Sequence, residues 1–209
     1  MKIKYLFVIM SGFLFSCNSN SNSIKLNSDS SAVEDIESKL LIVPGKSIGR
    51  YYLGQDLEQV DSLKGKPDAG DAAMGKAWAI WYGKNATGGK RNEIAIYSTY
   101  RDSTMSGKAV KQIRVISSKF ETVDGLNNGN LLSNFTAKYA DFTQIATYFD
   151  TKLGDTIKVF DSRSHGIAVE FLRDISRAIT VHPKGEQLNE SYYTLQPDLK
   201  RIGELSRDR

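Results

Sequence analysis

Apolar positions along the chain fall into three regimes, each predicting a different kind of structure. Leu6–Phe15 is an almost unbroken apolar run. Residues 18–23 and 27–31 are low-complexity stretches of Asn and Ser with one Asp. From Leu41 onward, apolar and polar residues alternate in short segments. Period-two alternation predicts strands over Lys76–Tyr82, Glu93–Tyr100 and Val110–Ser117, and again over Asp155–Asp161, His165–Leu172 and Arg177–His182. Helical spacing appears in Gln55–Leu63, where Leu57, Val60 and Leu63 share one side and Gly65-Lys66-Pro67 supplies the stop. It recurs in Asn130–Tyr139, with Leu132, Phe135 and Tyr139 on one face, and more weakly in Ala32–Leu40 with Val33, Ile36 and Leu40.

The two halves resemble one another. Gly129 lies 75 positions after Gly54, and Leu132 and Phe135 lie 75 after Leu57 and Val60. Ile94 and Ile96 match Ile167 and Val169, while Ile113 and Val115 match Ile179 and Val181, as one set of inward-facing positions used twice. The expectation is an α+β fold of two similar units, each a short helix packed on a three- to four-stranded antiparallel meander. The units would cover 41–118 and 119–185, followed by a polar tail over 186–209. In that tail, Tyr192–Leu195 is expected to add a short strand.

The apolar run near the N-terminus is about ten residues, half of the roughly 20 needed to span a hydrocarbon core as a helix. Preceded by Lys2 and Lys4, it has the form of a signal peptide over residues 1–16. It ends in Leu14-Phe15-Ser16-Cys17, which resembles the bacterial lipobox. That resemblance implies cleavage before Cys17 and a diacylglycerol thioether on it, with two or three acyl chains. At roughly 0.8 kcal/mol per buried methylene, such an anchor is effectively permanent. Residues 17–40 then read as a tether of about 25–30 Å mean reach. The mature chain is expected in the bacterial envelope. Asn18 is not the aspartate that favours inner-membrane retention in some bacteria, which points to the outer membrane.

Ser47-Ile-Gly-Arg-Tyr-Tyr-Leu-Gly54, followed by a short helix that ends at Gly65-Lys66-Pro67, resembles the opening of a family of bacterial envelope domains. This is the β-lactamase-inhibitor-protein and outer-membrane-assembly small-lipoprotein (SmpA/OmlA-like) fold family. The similarity covers residues 45–117 and, more weakly, 120–182. It rests on Gly, Pro and apolar positions, so it implies backbone geometry, an envelope location and binding or scaffolding rather than catalysis.

Composition narrows the chemistry. The formal charge is +4, but Lys2 and Lys4 precede the cleavage site, which leaves +2 on the mature chain and no basis for nucleic-acid binding. Cys17 is the only cysteine, so no intramolecular disulfide forms. The two histidines, His165 in a turn-like Ser162–Gly166 stretch and His182 before Pro183, are expected to be solvated, with no metal or cofactor. Ser164, His165 and Asp161 spell a hydrolytic triad but lack a nucleophile elbow. Glu170 opposes Ile167, Val169 and Phe171 and is expected on a solvated face. Gly83–Lys90 has the letters of a phosphate loop without its spacing and reads as a connection between strands, exposed at the sequon Asn85-Ala-Thr87.

Aromatic residues carry the remaining signal. Trp78, Ile80 and Tyr82 alternate with Ala77, Ala79 and Trp81, so one aromatic set lies away from the helices. Tyr51, Tyr52, Trp81, Tyr97 and Arg114 are the residues expected at a protein-binding surface, being of the types that dominate hot spots. The reading is a lipid-anchored, non-enzymatic envelope protein that binds or scaffolds another envelope component. Two alternatives are a small-ligand or glycan site in a groove between the units, and a hydrolase using His165 with Asp161 or Glu170.

Overall fold

The computed structural model describes residues 40–87 and 90–202. Residues 1–39, where a signal peptide, the lipidated Cys17 and a tether are expected, lie outside the described residues. The architecture is mostly β, which overturns the expected pair of helix-plus-meander units. A single nine-stranded antiparallel sheet runs in the order β13-β9-β10-β11-β12-β7-β6-β5-β4. Its strands are β4 (Ala69–Ala73), β5 (Lys76–Thr87), β6 (Lys90–Tyr100), β7 (Lys108–Ile116), β9 (Thr143–Asp150), β10 (Asp155–Ser162), β11 (Ile167–Leu172), β12 (Ile175–Val181) and β13 (Leu199–Arg201). A second, four-stranded mixed sheet is formed by β1 (Leu41–Val43), β2 (Ser47–Ile48), β3 (Tyr51–Tyr52) and β8 (Glu121–Thr122).

The reason for one sheet instead of two is visible in the central register. Ile94 faces Val115 and Ile96 faces Ile113 across β6 and β7, while Ile167 faces Val181 and Val169 faces Ile179 across β11 and β12. These two apolar ribbons then pair with each other, Ile179 with Val115 and Val181 with Ile113. A β-branched row therefore crosses four adjacent strands on one face. Splitting it would expose two hydrophobic strand edges to water. The positions expected to point inward do so, but into one core.

Helix α1 (Leu57–Lys64) and helix α2 (Leu132–Lys138) lie over this face with the small sheet. Val60 and Phe135 are the fully buried residues of the two helices, and Phe135 packs edge-on against Phe171 at 5.5 Å. Gly65 ends α1 as the sequence predicts, at φ 81° with its N–H donating to the Asp61 carbonyl at 2.7 Å. The small sheet meets the large one where Gly45 and Gly166, both at positive φ, touch. A Cβ on Gly166 would stand 2.3 Å from the His182 carbonyl oxygen and 2.7 Å from Gly45 Cα, so only glycine fits.

The opposite face of the large sheet is covered by the chain's own C-terminal stretch. Residues 183–198 leave β12 at the sheet centre, contact strands from β5 to β9 across this face, and deliver β13 to the far edge beside β9. Within this strap, residues 191–194 form the short helix α3 (Ser191–Thr194), not the expected strand. Leu188, Tyr192 and Tyr193 are buried against Trp78, Tyr97, Tyr148, Ile157 and Val159. The stretch expected to be a polar tail thus supplies Leu188, Tyr192 and Tyr193 to the second core, while its residues 203–209 lie outside the described residues.

Candidate functional site

The strap closes over a cluster of charges, which is the most distinctive chemical feature among the described residues. Arg114, from the middle of β7, donates from Nε to Glu170 Oε1 at 2.6 Å and from Nη1 to Glu93 Oε1 at 2.8 Å. Its guanidinium also lies over the Tyr192 ring, 4.1 Å from the centroid, and donates to the Tyr192 hydroxyl at 3.1 Å. Tyr192 in turn donates to Glu93, and Tyr193 donates to Glu170 at 3.2 Å. Burial alone would lower the Arg114 pKa, but Glu170, Tyr192 and Glu93 hold it well above the ordinary arginine range. Desolvation pushes both strap tyrosines up, and Glu93 or Glu170 adds to that, so both phenols stay protonated and donate.

Arg177 on β12 is less well served. Its Nε lies 3.5 Å from Glu170 Oε2 and its Nη1 lies 3.8 Å from Asp150 Oδ2, and neither nitrogen has a hydrogen-bond partner within the protein. Burial brings its pKa down to about 10. Glu170 therefore sits on the face that its alternation predicts, but at 2 % exposure it is an ion-pair acceptor and not a solvated residue. Periodicity identifies a face; it does not identify what covers that face.

His182 departs from expectation for the same reason. It is completely buried, with Nε2 2.8 Å from Asp161 Oδ1 and Nδ1 3.1 Å from the Pro183 carbonyl oxygen. Asp161 spends its other oxygen on the Leu188 N–H at 3.1 Å. The pair clips the start of the strap to β10. Asp161 is consequently committed to His182 and the strap.

His165 occupies the turn after β10, near the opposite face, its ring tilted against that of Tyr139 with centroids 5.0 Å apart. Its Nδ1 lies 2.8 Å from Ser162 Oγ, 2.9 Å from Ser164 Oγ and 3.3 Å from Asp141 Oδ1. A hydrolytic relay needs the serine on one ring nitrogen and the carboxylate on the other. Here all three groups converge on the same nitrogen, and Ser162 donates directly to Asp141. The arrangement staples the loop before β9 to the β10–β11 turn. Asp161 and Glu170, the carboxylates considered for a hydrolase, are engaged instead beneath the strap.

Asp141 is held well below the usual carboxylate range by the Ser162 hydroxyl first, then by the Ser164 N–H, with burial opposing. A depressed carboxylate contributes stability above its unfolded value, near pH 4, and that contribution is lost as pH falls toward the folded value. Asp141→Asn is therefore expected to lower the melting temperature modestly at neutral pH, by a difference from the parent that shrinks as pH falls below about 4. Thermal melts from pH 2 to 7 check this; parallel curves would refute it. The effect is modest because the side chain is 39 % exposed and screened by solvent.

Of the residues expected at a binding surface, Tyr51, Trp81, Tyr97 and Arg114 are buried and only Tyr52, at 46 %, is exposed. Trp81 faces the helices, donating from Nε1 to the Gly65 carbonyl, whereas Tyr97 faces the strap and packs on Trp78 at 5.1 Å. The five residues therefore form no common surface. The junction of the two expected units is filled by strap residues; what remains there is an open cleft of about 250 Å³ bordered by Tyr97, Gln112, Pro183 and Asn189. Another, of about 410 Å³, lies beside Tyr148, Glu190 and Arg201 at the strap's far end.

No family model, curated protein or solved structure matches this chain. Function has to be argued from its own residues. Among the described residues, no three His, Cys, Asp or Glu side chains are grouped to hold a metal ion. No helix among them is long and apolar enough to cross a membrane. The strap and its ion cluster were invisible to periodicity. The signals that could have found them are the adjacent Tyr192-Tyr193 pair and the alternating-face charges Glu93, Arg114 and Glu170 on otherwise apolar strands.

Proposed function

We propose that this protein is a membrane-anchored, non-enzymatic envelope lipoprotein that binds or scaffolds another envelope component. The observation that carries the reading is the order of segments: an apolar run ending in Leu14-Phe15-Ser16-Cys17, an Asn/Ser-rich stretch, and then a folded body from residue 40. A lipid on Cys17 places the body at a membrane surface, with the outer membrane as the favoured site. The body's buried charges support a binding role over a catalytic one. Arg114, Glu93, Glu170, Asp161 and His182 are engaged in mutual contacts beneath the strap, where they hold the fold together. The half-buried His165 cluster lacks the two-sided geometry of a relay.

In-cell photocrosslinking tests the binding half of this reading. Probes at exposed positions of the body are expected to give discrete adducts with one envelope protein, mapped by mass spectrometry to one patch. Adducts scattered over many abundant proteins, with no preferred patch, would contradict it.

A further inference from the structure

The nine-stranded sheet is open, and its two edges are treated differently. The β13 edge is three residues long, carries Lys200 and Arg201, and follows Pro197. Those are the features by which proteins protect an edge from strand addition. The β4 edge, Ala69-Gly70-Asp71-Ala72-Ala73, is five residues long with exposed alanines, and no other described strand pairs with its outer side. It contains no lysine, proline or bulky side chain.

The register says which backbone groups are free. Ala73 and Lys76 close the two-residue Met74-Gly75 turn, so they form a hydrogen-bonded pair, as do Asp71 with Trp78 and Ala69 with Ile80. The N–H and C=O groups of Gly70 and Ala72 then point away from β5. Gly70 lets the strand lie close to β5, since a Cβ there would meet the Trp78 carbonyl oxygen at 2.2 Å. At the end of this edge, Met74 is 99 % exposed at φ 49°, a conformation that favours Gly, Asn or Asp. Beside it lies a cleft of about 210 Å³ walled by Ala73, Met74, Trp78, Tyr97 and Leu195.

We propose that β4 receives an extended strand of a partner protein by strand addition, with a basic residue opposite Asp71 and an apolar residue two positions away in the cleft. Charge decides against a second copy as occupant. In the fully overlapped register, two-fold pairing of β4 with itself sets Asp71 directly opposite its symmetry mate in a non-hydrogen-bonded pair, where side chains are closest and like charges repel; the shifted registers that avoid this shorten the pairing. Asp71 is exposed and stands in none of the ion pairs among the described residues, so its charge is free to pair with a basic residue on an incoming strand. The inference deepens the binding reading above. Its test uses purified protein and synthetic peptides, so its failure would leave the crosslinking and lipid-anchor results untouched.

The probe is the capped peptide Thr-Leu-Thr-Lys-Thr-Leu-Thr, added to the full chain in detergent micelles. Amide exchange at Gly70 and Ala72 is expected to slow on binding, and a central-glutamate version of the peptide is expected to bind about fivefold more weakly. Asp71→Lys should reverse that preference. Ala72→Pro should abolish binding while leaving the melting temperature within a few degrees, because that N–H bonds nothing inside the sheet. Unchanged exchange at Gly70 and Ala72 at millimolar peptide, equal affinity for the two peptides, or protection confined to β13 would overturn the proposal. So would concentration-dependent protection of Gly70 and Ala72 without peptide, which would make a second copy the occupant.

Discussion

Exchanging Arg114 for methionine is expected to lower the unfolding free energy by about 3–5 kcal/mol. The volume is nearly kept, so the loss is electrostatic. Glu170 and Glu93 would remain buried at the sheet centre with only the hydroxyls of Tyr193 and Tyr192 as donors. Removing one partner of a buried ion pair is costly because the surviving charge keeps its desolvation penalty. The same exchange at Arg177 is expected to cost no more than about 1 kcal/mol. Its ion pairs are long, at 3.5 and 3.8 Å, and burial already disfavours its charge. Urea unfolding of the two variants measures the contrast. Equal losses would show that the cluster acts as one network and not through Arg114.

A chain ending at Glu186 is expected to lose most of its stability. It lacks Leu188, Tyr192 and Tyr193, each buried against the second core. At about 1.5–3 kcal/mol per fully buried large side chain, their loss amounts to roughly 5–9 kcal/mol, comparable with the whole stability of a typical domain. Truncation also uncovers Trp78, Tyr97 and Tyr148 and removes the phenol donors from Glu93 and Glu170. The measurable outcome is loss of the cooperative melt in near-ultraviolet circular dichroism. A truncated chain melting cooperatively within a few degrees of the parent would show that the strap is dispensable. The sheet face beneath it would then have to be stable in water.

What the sequence discloses and withholds follows from the same sheet. The six segments with strong alternation form strands, and the two helices turn Val60 and Phe135 inward, whereas Leu63, expected on the same side as Val60, is 48 % exposed. The Ile and Val positions read as repeated inward sites meet in one row. Their pairing into a single sheet was not legible, because alternation fixes a strand's faces but not its neighbour. β9 was missed because its alternation is broken by a bulge at Ile145, which packs with Ala146 and Tyr148 against the second core, while Phe149 is left 40 % exposed. β4 was missed because Ala-Gly-Asp-Ala-Ala has little β-propensity and is placed by its turn to β5. Arg114, Glu170 and His182 were misread because a polar residue beneath a strap and one in water leave the same mark on a pattern.

The candidate site was less legible than the fold. Trp81, Tyr97 and Arg114 have the chemistry of hot spots, yet that chemistry is spent inside the molecule. The edge that is open at β4 is nearly featureless in side chains, since strand addition is a backbone property.

Replacing Cys17 with alanine reaches the account most directly. With a thioether lipid as the only anchor, the parent should incorporate labelled palmitate and sediment with outer-membrane vesicles. The alanine variant should take up no label and leave the membrane fraction. A variant that stays on membranes like its parent, with a parent that never takes up palmitate, would contradict it.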